Sequence, residues 1–139
     1  MNFEGKGRFH AYSAGSFPTG KVNPLALEAL EGAGIPARPY RSKSWDEFAK
    51  PGVPVMDFVF TVCDDAAGEI CPVWPGHPVT AHWGVPDPAA VSGSDVEKRR
   101  QFAETLRVLT NRIRVFVALP FDKLDRLALK KYVDDIGQS

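Results

Sequence analysis

The run DFVFTV at residues 57–62 is the most strand-like stretch of the chain and decides its fold class. It is rich in β-branched and aromatic residues and almost continuously apolar, which is the pattern of a strand covered on both faces. PVTAH at residues 78–82 predicts a second strand, with proline at the first position, where a strand tolerates it. FHAYS at residues 9–13 predicts a short strand that ends at Gly15. Strands that alternate with helices indicate an α/β protein, a three-layer sandwich with a mostly parallel sheet.

Helix signals lie between and after these strands. Asn23-Pro24 predicts a helix start and Gly34 its end, because asparagine caps helices, proline suits the first turn and glycine tolerates the left-handed conformation. Two capping boxes follow. Ser44 with Glu47 predicts a short helix, and Ser94 with Glu97 opens a long one that ends at Pro120.

Two predicted helices have an apolar face. In the long helix the apolar residues recur at alternating steps of four and three: Phe102, Leu106, Leu109, Ile113 and Phe116. A last helix is predicted from about Asp122 to Ile136, with its stripe at Leu124, Leu127, Ala128, Tyr132 and Ile136. We expect the helical extension 121–137 to serve packing rather than chemistry.

The composition is that of one globular domain covering residues 1–139. Hydrophobic residues make up 44% and charged residues 24%, and 17 basic side chains cancel 17 acidic ones. This balance gives no reason to expect nucleic acid or an anionic membrane as a partner. Two cysteines are too few for a disulfide scaffold, and no apolar run approaches the ~20 residues that span a bilayer. Since MNFEGKGRF is no signal peptide, we expect a cytoplasmic protein.

Cys63 and Cys71 delimit the loop CDDAAGEIC, which follows the best predicted strand. Open α/β sheets hold their sites at the carboxyl ends of strands, and a loop of this length could bring the two sulfurs together as a redox pair. Two small buried side chains, the usual state of free cysteines, are the alternative. A zinc site made of these cysteines with His77 and His82 is a further interpretation, which the irregular spacing disfavours.

Asp87 stands between Pro86 and Pro88 in TAHWGVPDPAA, the most unusual segment of the chain. Its backbone has little freedom, so its carboxyl group projects from a rigid loop. This suits a general acid, which must be held within hydrogen-bond reach of a leaving oxygen. An ordinary Asp-Pro turn is the alternative, and composition alone favours it.

Five segments, in this order and spacing, carry a resemblance to a known family: AYSAGSFPTGKVNPLALEAL, SKSWDEF, FVFTVCDDAAGEICPVWPG, VTAHWGVPDPA and PFDKLDRLAL. Over nearly all of residues 8–137 the chain resembles thioredoxin-coupled arsenate reductases built on the low-molecular-weight tyrosine phosphatase fold. The resemblance implies reduction of arsenate to arsenite, with Asp87 as the general acid. It implies that Cys63 and Cys71 are relay cysteines that pass oxidising equivalents to thioredoxin, or to glutathione and glutaredoxin. No cofactor and no metal is implied.

One part of the family's pattern is not found in these residues. The family binds arsenate with a Cys-x5-Arg loop after its first strand, whereas Glu69 and His77 stand six positions after the two cysteines. We therefore expect the first strand, the anion loop and the first helix to precede Met1, with MNFEGKGRF as the end of that helix. Little or no arsenate reductase or phosphatase turnover is expected from the 139 residues. A non-catalytic dimeric domain of the same fold, with a redox-responsive or anion-binding role, is the alternative.

The position of the family's first strand, expected before Met1, also affects how the chain is expected to assemble. In the family's sheet the first strand lies between the strands that match residues 9–13 and 57–62. Without it, two strand edges are unpaired, and unpaired edges tend to recruit another chain. We therefore expect a homodimer through the exposed sheet edge near residues 1–20. Arg38, Arg41 and Lys43 are expected to be scattered surface cations.

Overall fold

The computed structural model describes residues 1–16, 18–36, 39–62 and 74–139. Its helices are α1 (Asn2–Gly5), α2 (Pro24–Gly32), the long α3 (Asp95–Val117) and α4 (Arg126–Gly137), and its strands are β1 (Phe58–Thr61) and β2 (Val79–His82). Three 3₁₀ turns complete the set: Trp45–Phe48, Pro88–Ala90 and Phe121–Lys123. None of the helices in these four ranges is long and apolar enough to cross a membrane.

The two strands form a parallel pair, with Phe58 opposite Val79 and Thr61 opposite His82. Main-chain hydrogen bonds continue the pairing beyond both strands: Val79 N donates to Asp57 O at 2.9 Å, and Trp83 N donates to Thr61 O at 2.7 Å. Parallel neighbours need a long crossover connection and are typical of α/β proteins. The predicted α/β class is therefore confirmed, as are the strands predicted at 57–62 and 78–82.

The strand predicted at residues 9–13 is wrong. Within the described ranges this segment has no strand partner, and the side-chain amide of Asn2 takes the place of one. Asn2 Oδ1 accepts a hydrogen bond from Ala11 N at 2.8 Å, and Asn2 Nδ2 donates to Ala11 O at 3.2 Å. Just after this segment, Gly15 forms an isolated parallel bridge with Ser44. Because a strand requires a neighbour along its whole length, the β-like composition of FHAYS was insufficient.

The predicted caps lie where helices begin. Asn23 accepts a hydrogen bond from Leu25 N at 2.9 Å, and Gly34 adopts φ 75° just after α2. Ser94 accepts from Glu97 N at 3.2 Å at the start of α3, which ends at Val117, before Pro120. The predicted capping box at residues 44–47 is not formed: Ser44 Oγ accepts a hydrogen bond from Asp46 N at 3.2 Å, and the Glu47 carboxylate binds the Arg41 guanidinium at 2.6 Å.

The hydrophobic core is centred on Phe116, whose side chain is 1% exposed. Five aromatic rings lie with their centroids between 5.0 and 5.9 Å from its own, those of Phe9, Phe58, Phe60, Trp83 and Phe121. Most of these contacts are edge-to-face, the arrangement that the charge distribution of aromatic rings favours. Residues from α3, from both strand regions and from the amino-terminal segment therefore meet at one side chain.

Helix α4 completes the core against β2. Val133 is 0% and Ile136 is 7% exposed, and Leu129 is half-buried one turn earlier on the same face. The predicted stripe was right for Ile136 and wrong for Leu127 and Tyr132, since Leu127 is 80% exposed. The helix is capped by Asp125 rather than starting at Asp122, so Leu124 lies outside it and does not define its buried face.

The outer edge of β2 is covered by cations of α4. Arg126 donates to Pro78 O at 3.3 Å, and Lys130 Nζ donates to Thr80 O. Further along, Gly137 approaches β2 so closely that a Cβ atom there would lie 2.5 Å from the main-chain oxygen of His82. Two main-chain carbonyls on this side of the sheet are thus occupied by side chains of α4.

Candidate functional site

The carboxyl ends of β1 and β2 lie side by side, and the segment of the predicted general acid begins there. Thr61 and His82 are opposite each other, and Thr61 Oγ1 is 2.7 Å from His82 Nδ1. Past the strands, Val85 N donates to Val62 O at 2.8 Å, which keeps the two chains together for a further step. The segment leading to Asp87 and the segment that continues into Cys63 therefore leave the sheet at the same edge.

Asp87 is exposed and holds a turn together. Its Oδ1 accepts a hydrogen bond from Ala89 N at 2.9 Å and caps the 3₁₀ turn Pro88–Ala90. In the described part of the chain, no hydrogen-bond partner is found for its second carboxylate oxygen. The two interpretations drawn from the sequence are therefore compatible: Asp87 is the first residue of an Asp-Pro turn, and it keeps one oxygen available to a ligand. Its role as a general acid stays a prediction.

The predicted relay cysteines, Cys63 and Cys71, lie outside the described residues, as does Arg38. Their pairing therefore stays a prediction. The ring of Trp74 meets that of Trp45 edge-on, with centroids 6.3 Å apart. The four described ranges contain no group of three or more His, Cys, Asp or Glu arranged to hold a metal ion.

A buried arginine, which the sequence analysis missed, holds the start of the Asp87 segment. Arg112 is 7% exposed, and its guanidinium donates to Gly84 O at 3.2 Å and to Ser139 O at 3.1 Å. Trp83, the residue before Gly84, is also held by a hydrogen bond, since its indole N–H donates to Val133 O at 2.9 Å. A signal existed: Arg112 stands three residues after Leu109 and four before Phe116, on the apolar stripe of α3. A charged residue on such a stripe indicates a specific buried partner.

Comparison with known proteins identifies relatives over most of the chain. The family model described as low molecular weight phosphotyrosine protein phosphatase matches residues 2–130, a range that includes all five segments of the resemblance. The arsenate reductase of Oceanobacillus iheyensis is 36% identical over 105 residues, which are 76% of this chain and 72% of that protein. The arsenate reductase of Bacillus licheniformis is 35% identical over 109 residues, 78% of this chain and 74% of that protein. For the arsenate reductase of Bacillus subtilis the figures are 35% over 105 residues, 76% and 72%.

Proposed function

The chain belongs to the low-molecular-weight phosphotyrosine protein phosphatase family and to its arsenate reductases, and from this premise we propose that it serves the reduction of arsenate to arsenite. Asp87 gives a proton to the leaving oxygen, and Cys63 and Cys71 supply two electrons by closing to a disulfide. Thioredoxin, or glutathione with glutaredoxin, then reopens that disulfide. The observation that carries this proposal is the hydrogen bond from Val85 N to Val62 O at 2.8 Å, since it joins the acid segment to the segment that leads into Cys63. A relay of free thiols also favours a cytoplasmic, reducing location.

We further propose that these 139 residues alone reduce arsenate slowly or not at all. Glu69 and His77 occupy the positions at which an arginine would follow each cysteine in a Cys-x5-Arg loop. An oxyanion is held in such folds by backbone N–H groups and by the fork of an arginine. The same positive field lowers the pKa of a thiol and produces thiolate at neutral pH. Neither cysteine has an arginine in the position from which both effects would come.

The experiment is arsenate-dependent NADPH oxidation coupled through thioredoxin and thioredoxin reductase. We expect a rate at least about a hundredfold below that of the Bacillus subtilis arsenate reductase measured in parallel, because loss of one oxyanion donor alone has an effect of that size. A fusion that places a strand, a Cys-x5-Arg loop and a helix before Met1 should gain turnover. Comparable turnover by the unfused chain would contradict the second proposal. A folded fusion without turnover would contradict the first.

The edge of β1 that faces away from β2 supports the dimer expected from the sequence. Asp57 and Thr61 accept hydrogen bonds from β2, so the alternate residues Phe58 and Phe60 direct their N–H and C=O groups outward. In the described ranges these groups have no main-chain partner. Phe9 packs against the same core cluster as these two residues, so at least this part of the amino-terminal segment lies close to β1. We propose a homodimer in which two β1 strands pair antiparallel across a two-fold axis.

The dimer proposal predicts a dimer in sedimentation velocity at micromolar concentration. Val62→Lys places a charge on an exposed side chain at the end of this edge, and lysine at strand edges opposes pairing. We expect this variant to sediment as a monomer. Val96→Lys changes a valine on α3 that is even more exposed, 62% against 40% for Val62, and should leave the dimer intact. A folded wild-type monomer, or a dimer that Val62→Lys does not weaken, would rule out this interface.

A further inference from the structure

A depression of about 230 Å³ lies between two segments that the bridge at Gly15 holds together. Gly15 N donates to Lys43 O at 3.0 Å, and Trp45 N donates to Gly15 O at 3.0 Å. A second link joins the walls, since Gly20 N donates to Ser42 Oγ at 3.1 Å. We call this feature the basic depression. Its lining includes Gly15, Lys21, Arg41, Ser42 and Lys43.

The described residues of the lining include three cations and no carboxylate, in a chain whose formal charges cancel. Arg41 is neutralised from outside the lining, because its guanidinium donates to both carboxylate oxygens of Glu47, at 3.0 and 2.6 Å. These hydrogen bonds hold the pKa of the Glu47 carboxyl below its ordinary value, so the pair stays ionised. Within the described ranges neither Lys21 nor Lys43 forms a salt bridge, although the Glu47 carboxylate is close enough to Lys43 for electrostatic attraction.

Both ammonium groups keep protons to donate. Lys43 Nζ donates one hydrogen bond, to Arg41 O at 3.2 Å, and an ammonium group has three protons. The Lys21 ammonium has no hydrogen-bond partner within the described ranges. The Ser42 hydroxyl accepts from Gly20 N, so its own proton remains available as a third kind of donor. All three residues line the depression, whose volume is several times the ~30 Å³ that one water occupies in the liquid.

We propose that the basic depression binds a tetrahedral oxyanion, phosphate or arsenate, through the ammonium groups of Lys21 and Lys43 and the hydroxyl of Ser42. The interaction is reversible and forms no covalent bond. It requires neither cysteine nor Asp87, so it stands apart from the reaction proposed above. Lys43, expected from the sequence to be a scattered surface cation, is instead half of a two-lysine site, and Lys21 is a partner that the sequence analysis did not consider.

The test is a titration of the ¹⁵N-labelled chain with sodium phosphate, followed by ¹H–¹⁵N correlation spectra at an ionic strength held constant with sodium chloride. Constant ionic strength removes general screening of surface charges. We expect saturable shifts of the amides of Gly15, Gly20, Ser42 and Lys43. Lys21→Gln and Lys43→Gln should each weaken phosphate binding about tenfold, the effect of losing one charge-assisted hydrogen bond. Lys21→Arg keeps the charge and should retain binding.

Lys123→Gln is the matched control, because Lys123 is exposed on the 3₁₀ turn after α3 and outside the basic depression. Its phosphate affinity should equal that of the wild type. Non-saturable shifts, or equal weakening by all three glutamine variants, would overturn the proposal.

A second titration uses sodium arsenate. Affinity similar to that for phosphate supports recognition of the tetrahedral shape and charge, and a site that rejects arsenate would contradict it.

Discussion

Phe116→Ala is expected to lower the free energy of unfolding by about 3–5 kcal/mol, the usual cost of truncating a buried phenylalanine. Phe116 is 1% exposed, and its ring is in contact with five other aromatic rings that come from distant parts of the sequence. Alanine would leave a cavity that these rigid rings fill poorly. Because domains of this size are commonly stable by only about 5–15 kcal/mol, a large part of the total would be lost.

Urea unfolding followed by circular dichroism measures this change. Phe3→Ala is the matched control, since it removes the same atoms from a side chain that is 49% exposed on α1. We expect the control to lose no more than about 1 kcal/mol, in keeping with a surface substitution. Equal losses in the two variants would show that Phe116 is not the centre of the core.

The largest catalytic effect is expected for Asp87→Asn in the fusion that carries a Cys-x5-Arg loop. Loss of a general acid lowers a rate by about 10²–10⁴-fold. Asparagine has the same shape, and its side-chain oxygen can still accept the hydrogen bond from Ala89 N that closes the turn. The substitution therefore removes the transferable proton and leaves the local fold unchanged. Steady-state arsenate reduction measures the effect.

Two further variants separate proton transfer from structure. Asp87→Ala removes both the proton and the cap, so it should match Asp87→Asn in rate and lose about 1 kcal/mol of stability in addition. Asp122→Asn changes an exposed aspartate in the turn after α3 and should leave the rate as it is. An unchanged rate for Asp87→Asn would show that the reaction does not use this carboxyl group.

The parts of the fold that the sequence predicts are those with local causes. Asn23 and Gly34 bracket α2 because a cap and a left-handed residue act on their immediate neighbours. The strands at 58–61 and 79–82 were predicted because their composition suits a covered sheet. Residues 9–13 have similar composition, but whether they form a strand depends on a neighbour elsewhere in the chain. There the Asn2 amide binds Ala11, a contact without a sequence pattern.

The same distinction applies to the candidate site. Asp87 is conspicuous in the sequence because prolines flank it, and the turn that it caps is local. The basic depression is not predictable in this way, because Lys21 and Lys43 become neighbours only through the bridge between Gly15 and Ser44. The face of α4 was misjudged for a related reason. Leu127 and Val133 are both apolar, and only the position of β2 decides that Val133 is buried.

The unequal edges of the sheet determine how far edge pairing can proceed. Arg126 and Lys130 donate hydrogen bonds to the outward carbonyls of Pro78 and Thr80, while the outward peptide groups of Phe58 and Phe60 meet no main-chain partner in the described ranges. Head-to-tail growth would need an acceptor edge at both ends of every copy, and such growth leads to open fibres. In the proposed dimer the β1 edges are used, and the cations of α4 oppose the addition of a third copy at the β2 edge. Replacing Arg126 and Lys130 with neutral residues would therefore remove this obstacle and favour growth of the proposed dimer into longer assemblies.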